Sequence, residues 1–531
     1  MLRLLIALCL NIVFIYSGIT QSLFNKRYTF DYLSAVFTGI EVTDTCIYAT
    51  GLVTDTIPPY YPTGIIWAKL DHSGELQNHT VFFKEGRRLS NWYGGLTPYN
   101  GGFLSSGMVK KDSVEGTALY YFDNDGQVSK YHEVIPYLPL FDGRVDHNVH
   151  PVIGPNRTIL LATRESNIAY GVNRQFDTVL QLYDSTGNRV WQRNYGEELG
   201  NNHDMPRGAI SYQDGFLVGS YLNNSNRVRK GYTARHYLFS IDTSGTKRWQ
   251  YLTPEDTLLS FPRAIYAEEN GSLIVASFLG EETYVNVSTN MLQLGPAYIY
   301  KFSPPNNMHW TLQLHTPHLA PPTNHELTGI VKADDGSGYV LAGYFARYSE
   351  EENVDKRGWL VKISPEGDSL WERQLRFLAP TPLSDFHEIY DLEATPDGGY
   401  VMAGQVLYDD GNPPMQRAWL LKVDEYGCLV PGCHLVSTEE ETAAPNLALK
   451  LFPNPATEFI NIFLQDAHIA RRGQAELRLL SGSGQLLRRH PAGRVDGVTN
   501  MMPLDGLPAG PYVLHYVADG QLLSAKTFIK Q

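Results

Sequence analysis

The chain has 531 residues, too many for one ordinary domain, so one large repeat domain or two to three smaller ones are expected. Hydrophobic residues make up 43% and aromatic residues 12%, with 47 glycines and 33 tyrosines, which fits a folded, turn-rich, mainly β protein. A net charge of −13 would repel a phosphate backbone and argues against nucleic acid as a partner.

In chain order, Met1-Leu2-Arg3 precedes an apolar run from Leu4 to Tyr16, broken only by Asn11 and followed by Ser17, Gly18 and Thr20. This reads as a secretory signal peptide over residues 1–20, removed after Thr20, because a membrane anchor needs about 20 apolar residues. Cys9 lies inside the run without a small residue before it, which argues against a lipoprotein acceptor. No later stretch is apolar enough to span a bilayer. Cys46, in the strand-like Cys46-Ile47-Tyr48-Ala49, is expected to be a buried thiol.

A repeat follows, with a period of roughly sixty residues. Its clearest copy is Gly338-Tyr339-Val340-Leu341-Ala342-Gly343, then Gly358-Trp359-Leu360-Val361-Lys362-Ile363, then Pro365-Glu366-Gly367-Asp368-Ser369-Leu370-Trp371. The turn recurs as Asp71-His72-Ser73-Gly74, Asp123-Asn124-Asp125-Gly126, Asp184-Ser185-Thr186-Gly187, Asp242-Thr243-Ser244-Gly245 and Asp424-Glu425-Tyr426-Gly427, with a degenerate copy at Ser303-Pro304-Pro305-Asn306. In each, Asp is expected to cap its own backbone while Gly takes the left-handed position. That structural role, and the missing ligand positions, argue against a calcium loop at Asp123. Upstream of each turn lies a strand ending in small residues, such as Ala49-Thr50-Gly51 or Ala403-Gly404, as a crowded axis would require.

Seven copies of a four-strand unit predict an all-β fold: a seven-bladed β-propeller over residues 21–436. Ser22-Leu23-Phe24-Asn25-Lys26-Arg27 is similar to Ser369-Leu370-Trp371-Glu372-Arg373-Gln374, so the N-terminal strand is expected to complete the seventh blade and leave no open edge. In that last copy the outer strand gives way to Cys428-Leu429-Val430-Pro431-Gly432-Cys433, a turn short enough for a disulfide. The repeat resembles propellers with a tryptophan after an Asp-x-x-Gly turn, among them pyrroloquinoline-quinone-like domains and bacterial surface propellers. Those quinone enzymes use an adjacent cysteine pair that this chain lacks, so the resemblance implies the fold and no cofactor is expected.

Residues 437–446 form a polar, acidic run ending at Pro445, which reads as a linker. Beyond it, short strands separated by turn signals predict a small immunoglobulin-like β-sandwich over 447–531. The Phe452-Pro453-Asn454-Pro455-Ala456 opening, Gly484-Gln485-Leu486-Leu487, Leu507-Pro508-Ala509-Gly510-Pro511-Tyr512 and the closing Lys526 and Lys530 resemble the type A sorting domain of the type IX (Por) secretion system. The resemblance implies recognition by the secretion translocon, cleavage by a sortase-like peptidase, and release or attachment at the cell surface. Pro511 departs from the pattern at the start of its strand.

No nucleophile elbow, zinc helix or phosphate loop is present. One constellation recurs before the innermost strands: Asp146-His147, His203-Asp204, His325-Glu326 and His387-Glu388. Converging at the channel mouth, these side chains would suit a ligand or transition metal; alternatively they are strand-capping groups that satisfy loop backbone. Arg144, Arg207 and Arg263 near the same mouth would suit an anionic glycan or carboxylate. Two functions follow: a non-catalytic surface or secreted module binding protein or glycan, which is preferred, or an extracellular hydrolase or lyase with its site at the channel mouth.

Overall fold

The computed structural model describes residues 22–55, 62–91, 95–111, 114–134, 146–147, 150–167, 175–196, 202–224, 235–254, 261–279, 284–287, 290–293, 295–314, 323–348, 354–376, 386–408, 415–430, 433, 448–465, 475–482, 484–491, 499–518 and 521–531. Among them the sole helical turn is Pro155–Arg157.

Antiparallel groups of four strands, two of them with a divided inner strand, follow one another among the described residues, and the last two are joined into one eight-stranded sheet by a parallel bridge between Lys356 and Phe386. The first runs Ser34–Val42, Ile47–Thr54, Thr63–Leu70 and Leu76–Phe82. The second splits its inner strand into Arg88–Ser90 and Thr97–Tyr99, then continues through Gly102–Lys111, Val114–Phe122 and Val128–Val134. The third is split likewise, Asp146–His147 and Val152–Ile153 preceding Ile159–Asn167, Gln175–Tyr183 and Arg189–Asn194. Asn202–Tyr212, Gly215–Asn224, Arg235–Asp242 and Lys247–Leu252 make the fourth. The fifth takes Ala264–Ala267, Leu273–Phe278, Ala297–Ser303 and Asn307–Leu314, with the hairpin Tyr284–Val287 and Asn290–Gln293 inserted. The sixth takes Thr323–Lys332, Tyr339–Tyr348, Val354–Ile363 and Ser369–Leu375.

The seventh sheet, Phe386–Ala394, Tyr400–Tyr408 and Met415–Val423, receives its outer strand from the other end of the chain. Phe24–Tyr28 lies antiparallel to it, Phe24 opposite Lys422 and Tyr28 opposite Ala418. The expected pairing of the N-terminal strand is therefore present. A separate apolar core lies between each sheet and the next, Trp67 with Tyr120 between the first and second, Leu360 with Met402 between the sixth and seventh. The seventh sheet shares one with the first through Ala403, Leu420, Phe37 and Ala49. Sheets packed face to face in this cyclic order are a β-propeller.

The Asp-x-x-Gly turns work as their chemistry predicts. Asp71 Oδ1 accepts the N–H groups of Ser73 at 2.8 Å and Glu75 at 2.9 Å, and Gly74 has φ +73°. Asp123 spends Oδ1 on Asp125 and Gln127 in the same way. The paired tryptophan has a reason that lies in the neighbouring sheet. A Cβ at Gly367 would stand 2.6 Å from the Trp310 ring, and one at Gly427 would stand 2.8 Å from Trp371. These two outer-strand tryptophans thus pack on the turn glycine of the following sheet, whereas at Gly245 Arg193 and Tyr195 stand in that place and Trp191 donates through Nε1 to the Thr243 carbonyl instead. Phe24 fills the same role against Gly74, where a Cβ would meet its ring at 2.8 Å.

The C-terminal segment forms two further sheets, one of Ala448–Phe452, Phe459–Gln465 and Thr499–Pro503, the other ordered Leu486–Pro491, Ala475–Ser481, Gly510–Ala518 and Gln521–Lys530. Their inner faces share a core of Ile460, Ile462, Leu477, Leu479, Met502, Leu514 and Phe528, the alternation a small sandwich requires. Cys428 and Cys433 are joined in a disulfide with Cα atoms 5.6 Å apart, while Cys46 is a buried free thiol.

Candidate functional site

The inner strands share one irregularity that creates the site. In the first sheet Phe37 pairs with Gly51 and Gly39 with Thr50, leaving Thr38 without a partner residue across the ladder. The same β-bulge sets out Arg207 between Pro206 and Gly208, Thr328 between Leu327 and Gly329, and Tyr390 between Ile389 and Asp391. A bulge bends the strand and re-aims one side chain. All four of these residues line a single central cavity of about 290 Å³. In the remaining three sheets the cavity is lined by Gly95, His150 and Arg263, which stand just before the strands Thr97–Tyr99, Val152–Ile153 and Ala264–Ala267.

The bulge also corrects the reason for the small residues in the second strands. A Cβ at Gly343 would lie 1.9 Å from the Glu326 carbonyl oxygen, and one at Gly404 would lie 1.9 Å from that of Glu388. A carbonyl of the innermost strand just ahead of the bulge leaves no room for a side chain at these two glycines. Glycine recurs just after the bulge for another reason: a Cβ at Gly39 would lie 2.5 Å from the Gly95 backbone, and one at Gly208 would lie 2.4 Å from the Pro262 carbonyl oxygen. In the seventh sheet Asp391 takes this position. Its carboxylate accepts the Ile40 N–H at 2.8 Å, tying the seventh sheet to the first.

Charge is divided across the cavity. On the seventh and first sheets stand Asp391, Glu393 and Glu41. Burial, then the nearby Asp391, pushes Glu41 up to about 7. Burial also raises Asp391 against the lowering effect of the Ile40 and Leu392 N–H groups, and raises Glu393 further with Asp391 and Glu41 beside it. Facing them from the fourth and fifth sheets are Arg207 and Arg263. Their guanidinium carbons lie 4.1 and 5.4 Å from the centre of the Phe261 ring, which is itself packed edge-on against Tyr221. His150 lies between these poles, open to the cavity yet enclosed by surrounding protein that pushes its pKa below the ordinary histidine value.

The histidines expected at the channel mouth lie elsewhere or are not described. The strand Asp146–His147 pairs with Arg164 and Thr163, but the His147 side chain lies outside the described residues, as do the His203 side chain and the whole of Arg144. His325 is buried, its Nδ1 3.0 Å from the Gly295 carbonyl oxygen and its ring 5.0 Å from Trp359. His387 is buried edge-on against Trp419 at 5.3 Å. These two occupy the sheets' own cores rather than one shared cavity. Asp204 is buried and accepts the Thr178 N–H at 2.5 Å, tying the fourth sheet to the third; burial pushes its pKa up to about 7.

The acidic partners stand one step behind the cavity. Glu326 pairs with Arg263 and accepts the Tyr344 hydroxyl at 2.6 Å. Glu388 accepts the Tyr390 hydroxyl and Gln405 Nε2, each at 2.5 Å, and pairs with Lys356. Burial opposes ionisation of Glu388, but Lys356 and these donors hold its pKa below the usual carboxylate range. Both acids therefore position cavity residues, Arg263 and Tyr390. Sequence reasoning found Arg207 and Arg263 but missed Glu41, His150, Tyr390, Asp391 and Glu393. A signal existed: Pro206-Arg207 and Pro262-Arg263 are the same pair, each followed by a small residue, one sheet apart.

In the C-terminal sandwich the motif residues hold the last strand in place. Asn454 Oδ1 accepts the Ile529 N–H at 3.0 Å, and the neighbouring Ala456 N–H donates to the Ile529 carbonyl at 2.8 Å. Pro453 and Pro455 flank Asn454 in that turn. Tyr512 donates to the Pro508 carbonyl at 2.6 Å and stacks on Phe528. Gly510 lies opposite Lys530, and Lys526 opposite Leu514.

Residues 450–531 match the family described as the secretion system C-terminal sorting domain. Comparison with curated proteins found no sequence match. Among solved structures, the chain is similar to polysaccharide lyase Uly1, at 9% identity and a TM-score of 0.43 over 78% of this chain and 95% of that one. It is similar to an ulvan lyase described as representing a new polysaccharide lyase family, at 11% identity and a TM-score of 0.41, covering 76% and 97%. It is also similar to the Penicillium chrysogenum α-L-arabinanase complexed with arabinobiose, at 13% identity and a TM-score of 0.39, covering 77% and 98%. Residues 450–531 are thus a type IX sorting domain, carried by a β-propeller protein exported to the cell surface or the extracellular space.

Proposed function

We propose that this is an exported binding module: a signal peptide over 1–20, a closed seven-bladed ring over 21–436, a linker over 437–446 and a sorting domain over 447–531. The sorting domain engages the type IX translocon and its sortase, and the ring binds an extracellular glycan or protein without transforming it. One observation carries this reading. Every sheet contributes a residue, in or just before its inner strand, to one polar central cavity, and four of the seven do so through a bulge that turns a side chain inward. Screening the exported chain against a glycan array and a panel of extracellular proteins tests it; silence across both would refute it.

A second reading, a hydrolase or lyase acting on an extracellular polymer, is favoured by the three carboxyl groups in that cavity. Burial holds all three pKa values high, and repulsion from neighbouring carboxyl groups adds to it for Glu41 and Glu393, as a general acid requires. Turnover of a polymer that is lost in Glu41→Gln and Asp391→Asn would establish this reading over the first.

A further inference from the structure

The two poles of the cavity define what fits between them, on the reading that this cavity is the binding site. Arg207 and Arg263 occupy equivalent places in adjacent sheets and present their guanidinium groups against the same phenylalanine. Arg263 is further fixed by Glu326. A guanidinium fork matches the planar, two-oxygen geometry of a carboxylate, and two of them line this cavity. Across the cavity stand the carboxyl groups of Glu41, Asp391 and Glu393, with Thr38, whose hydroxyl donates to Asn91 Oδ1 and can still accept. Such groups hydrogen-bond to the hydroxyls of a sugar ring, accepting when ionised and donating when protonated. Pockets for drug-sized ligands run from about 300 to 1,000 Å³. At about 290 Å³ this one holds a single small unit rather than a chain.

We propose that the cavity binds one uronic acid residue, a sugar ring bearing a carboxylate, with the carboxylate on Arg207 and Arg263 and the ring hydroxyls toward Thr38 and the three acids. A single residue fits as the terminal unit of an acidic glycan entering the ring along its axis. The arrangement makes affinity depend on pH. Glu41 faces Asp391 and Glu393, and the other ionisable groups lining the cavity are His150, Arg207 and Arg263, with Tyr390 beside them. As pH rises, Glu41, Asp391 and Glu393 ionise and repel an anionic ligand, while the arginines stay charged. His150 acts in the same direction, adding positive charge only at acid pH.

Isothermal titration of the exported chain with D-galacturonate, D-galactose, galactose 6-sulfate and L-glutamate tests the proposal. Galacturonate is expected to bind at least tenfold more tightly than each of the others. Its affinity is expected to fall between pH 6 and pH 9, and to fall less in Glu393→Gln. Arg207→Gln is expected to cost at least tenfold in galacturonate affinity and to remove its advantage over galactose; Arg263→Lys serves if that variant does not fold. Equal binding of galactose, tighter binding of the sulfated sugar or of glutamate, or indifference to both arginine substitutions would overturn it. Silence toward all four together with a glycan-array hit would overturn this ligand assignment alone. Silence in both experiments would remove the binding reading as well.

Discussion

Gly343→Ala puts the bulge to a direct test. The new methyl would lie 1.9 Å from the Glu326 carbonyl oxygen and 2.8 Å from the Leu327 Cα, both backbone atoms that no rotamer change can withdraw. Ordinary contact begins at 3.4 Å, so the inner strand of the sixth sheet must retreat by about 1.5 Å, the difference between those two separations. Thr328 would then lose its 2.9 Å hydrogen bond to the Ile389 carbonyl, which joins the sixth sheet to the seventh. Overpacking of this kind costs about 1–3 kcal/mol. The lost hydrogen bond adds about 1 kcal/mol, and reduced freedom of the unfolded chain returns about 0.4–1 kcal/mol. The net expectation of about 1–3.5 kcal/mol corresponds to a midpoint lowered by roughly 2–14 °C at the scale of large domains. Differential scanning calorimetry reads this directly. Gly404→Ala, with the same 1.9 Å clash against Glu388, is expected to behave alike. A midpoint within about 1 °C of the parent in both variants, well inside the shift expected for such a cost, would show that the bulge does not dictate these glycines.

Three further outcomes are expected. Glu41, Asp391 and Glu393 bind protons more tightly folded than unfolded, because their folded pKa values are raised. Stability must therefore fall as pH climbs from the unfolded carboxylate range near about 4. For Glu41 this loss runs to about 7, and Glu393 extends it upward. Thermal midpoints measured from pH 5 to 8 should decline, less steeply in Glu393→Gln, and a rise would contradict the assignment. Asp397→Ala would strand Lys422, 1% exposed and 2.5 Å from that carboxylate, at a cost of about 3–5 kcal/mol readable by urea denaturation; a loss below about 1 kcal/mol, the scale of exposed pairs, would place the pair in effective contact with water. Deleting residues 450–531 should leave the protein inside the outer membrane, as cell fractionation would reveal, and unchanged surface delivery would mean another signal directs export.

The strand pattern was legible because its signals are local. The Asp71 and Asp123 turns depend on residues within four positions of each other, and the alternation around Ile460 and Ile462 needs nothing beyond its own strand. The likeness of Phe24 to Trp371 revealed a pairing across the length of the propeller, since both residues meet the same demand from a turn glycine. The cavity was less legible. Recurrence marked His325 and His387 as equivalent, correctly, but equivalence placed them against equivalent tryptophans rather than together. Four of the residues that meet at the cavity come from bulges, and a bulge is a matter of register between two strands that neither sequence announces alone. Asp391 illustrates the limit. It departs from the glycine found at Gly39, Gly208 and Gly329 because its neighbour is the first sheet, a fact about the ends of the chain.

The outer strand Phe24–Tyr28 has a consequence in time as well as in space. Trp419 donates through Nε1 to Asn25 at 2.6 Å, across 394 residues of chain. The first strand to be made is the last to be paired, and it must wait until Met415–Val423 has been delivered. Contacts so distant in sequence close slowly, and an unpaired strand is an invitation to the wrong partner while it waits. A chain interrupted anywhere before Met415 would be left with two open edges, at the first sheet and at the last sheet completed. Any chain that reaches Val423 can hide both, so the join between the ends acts as an inspection of the propeller's length: copies that stop short of it stay sticky.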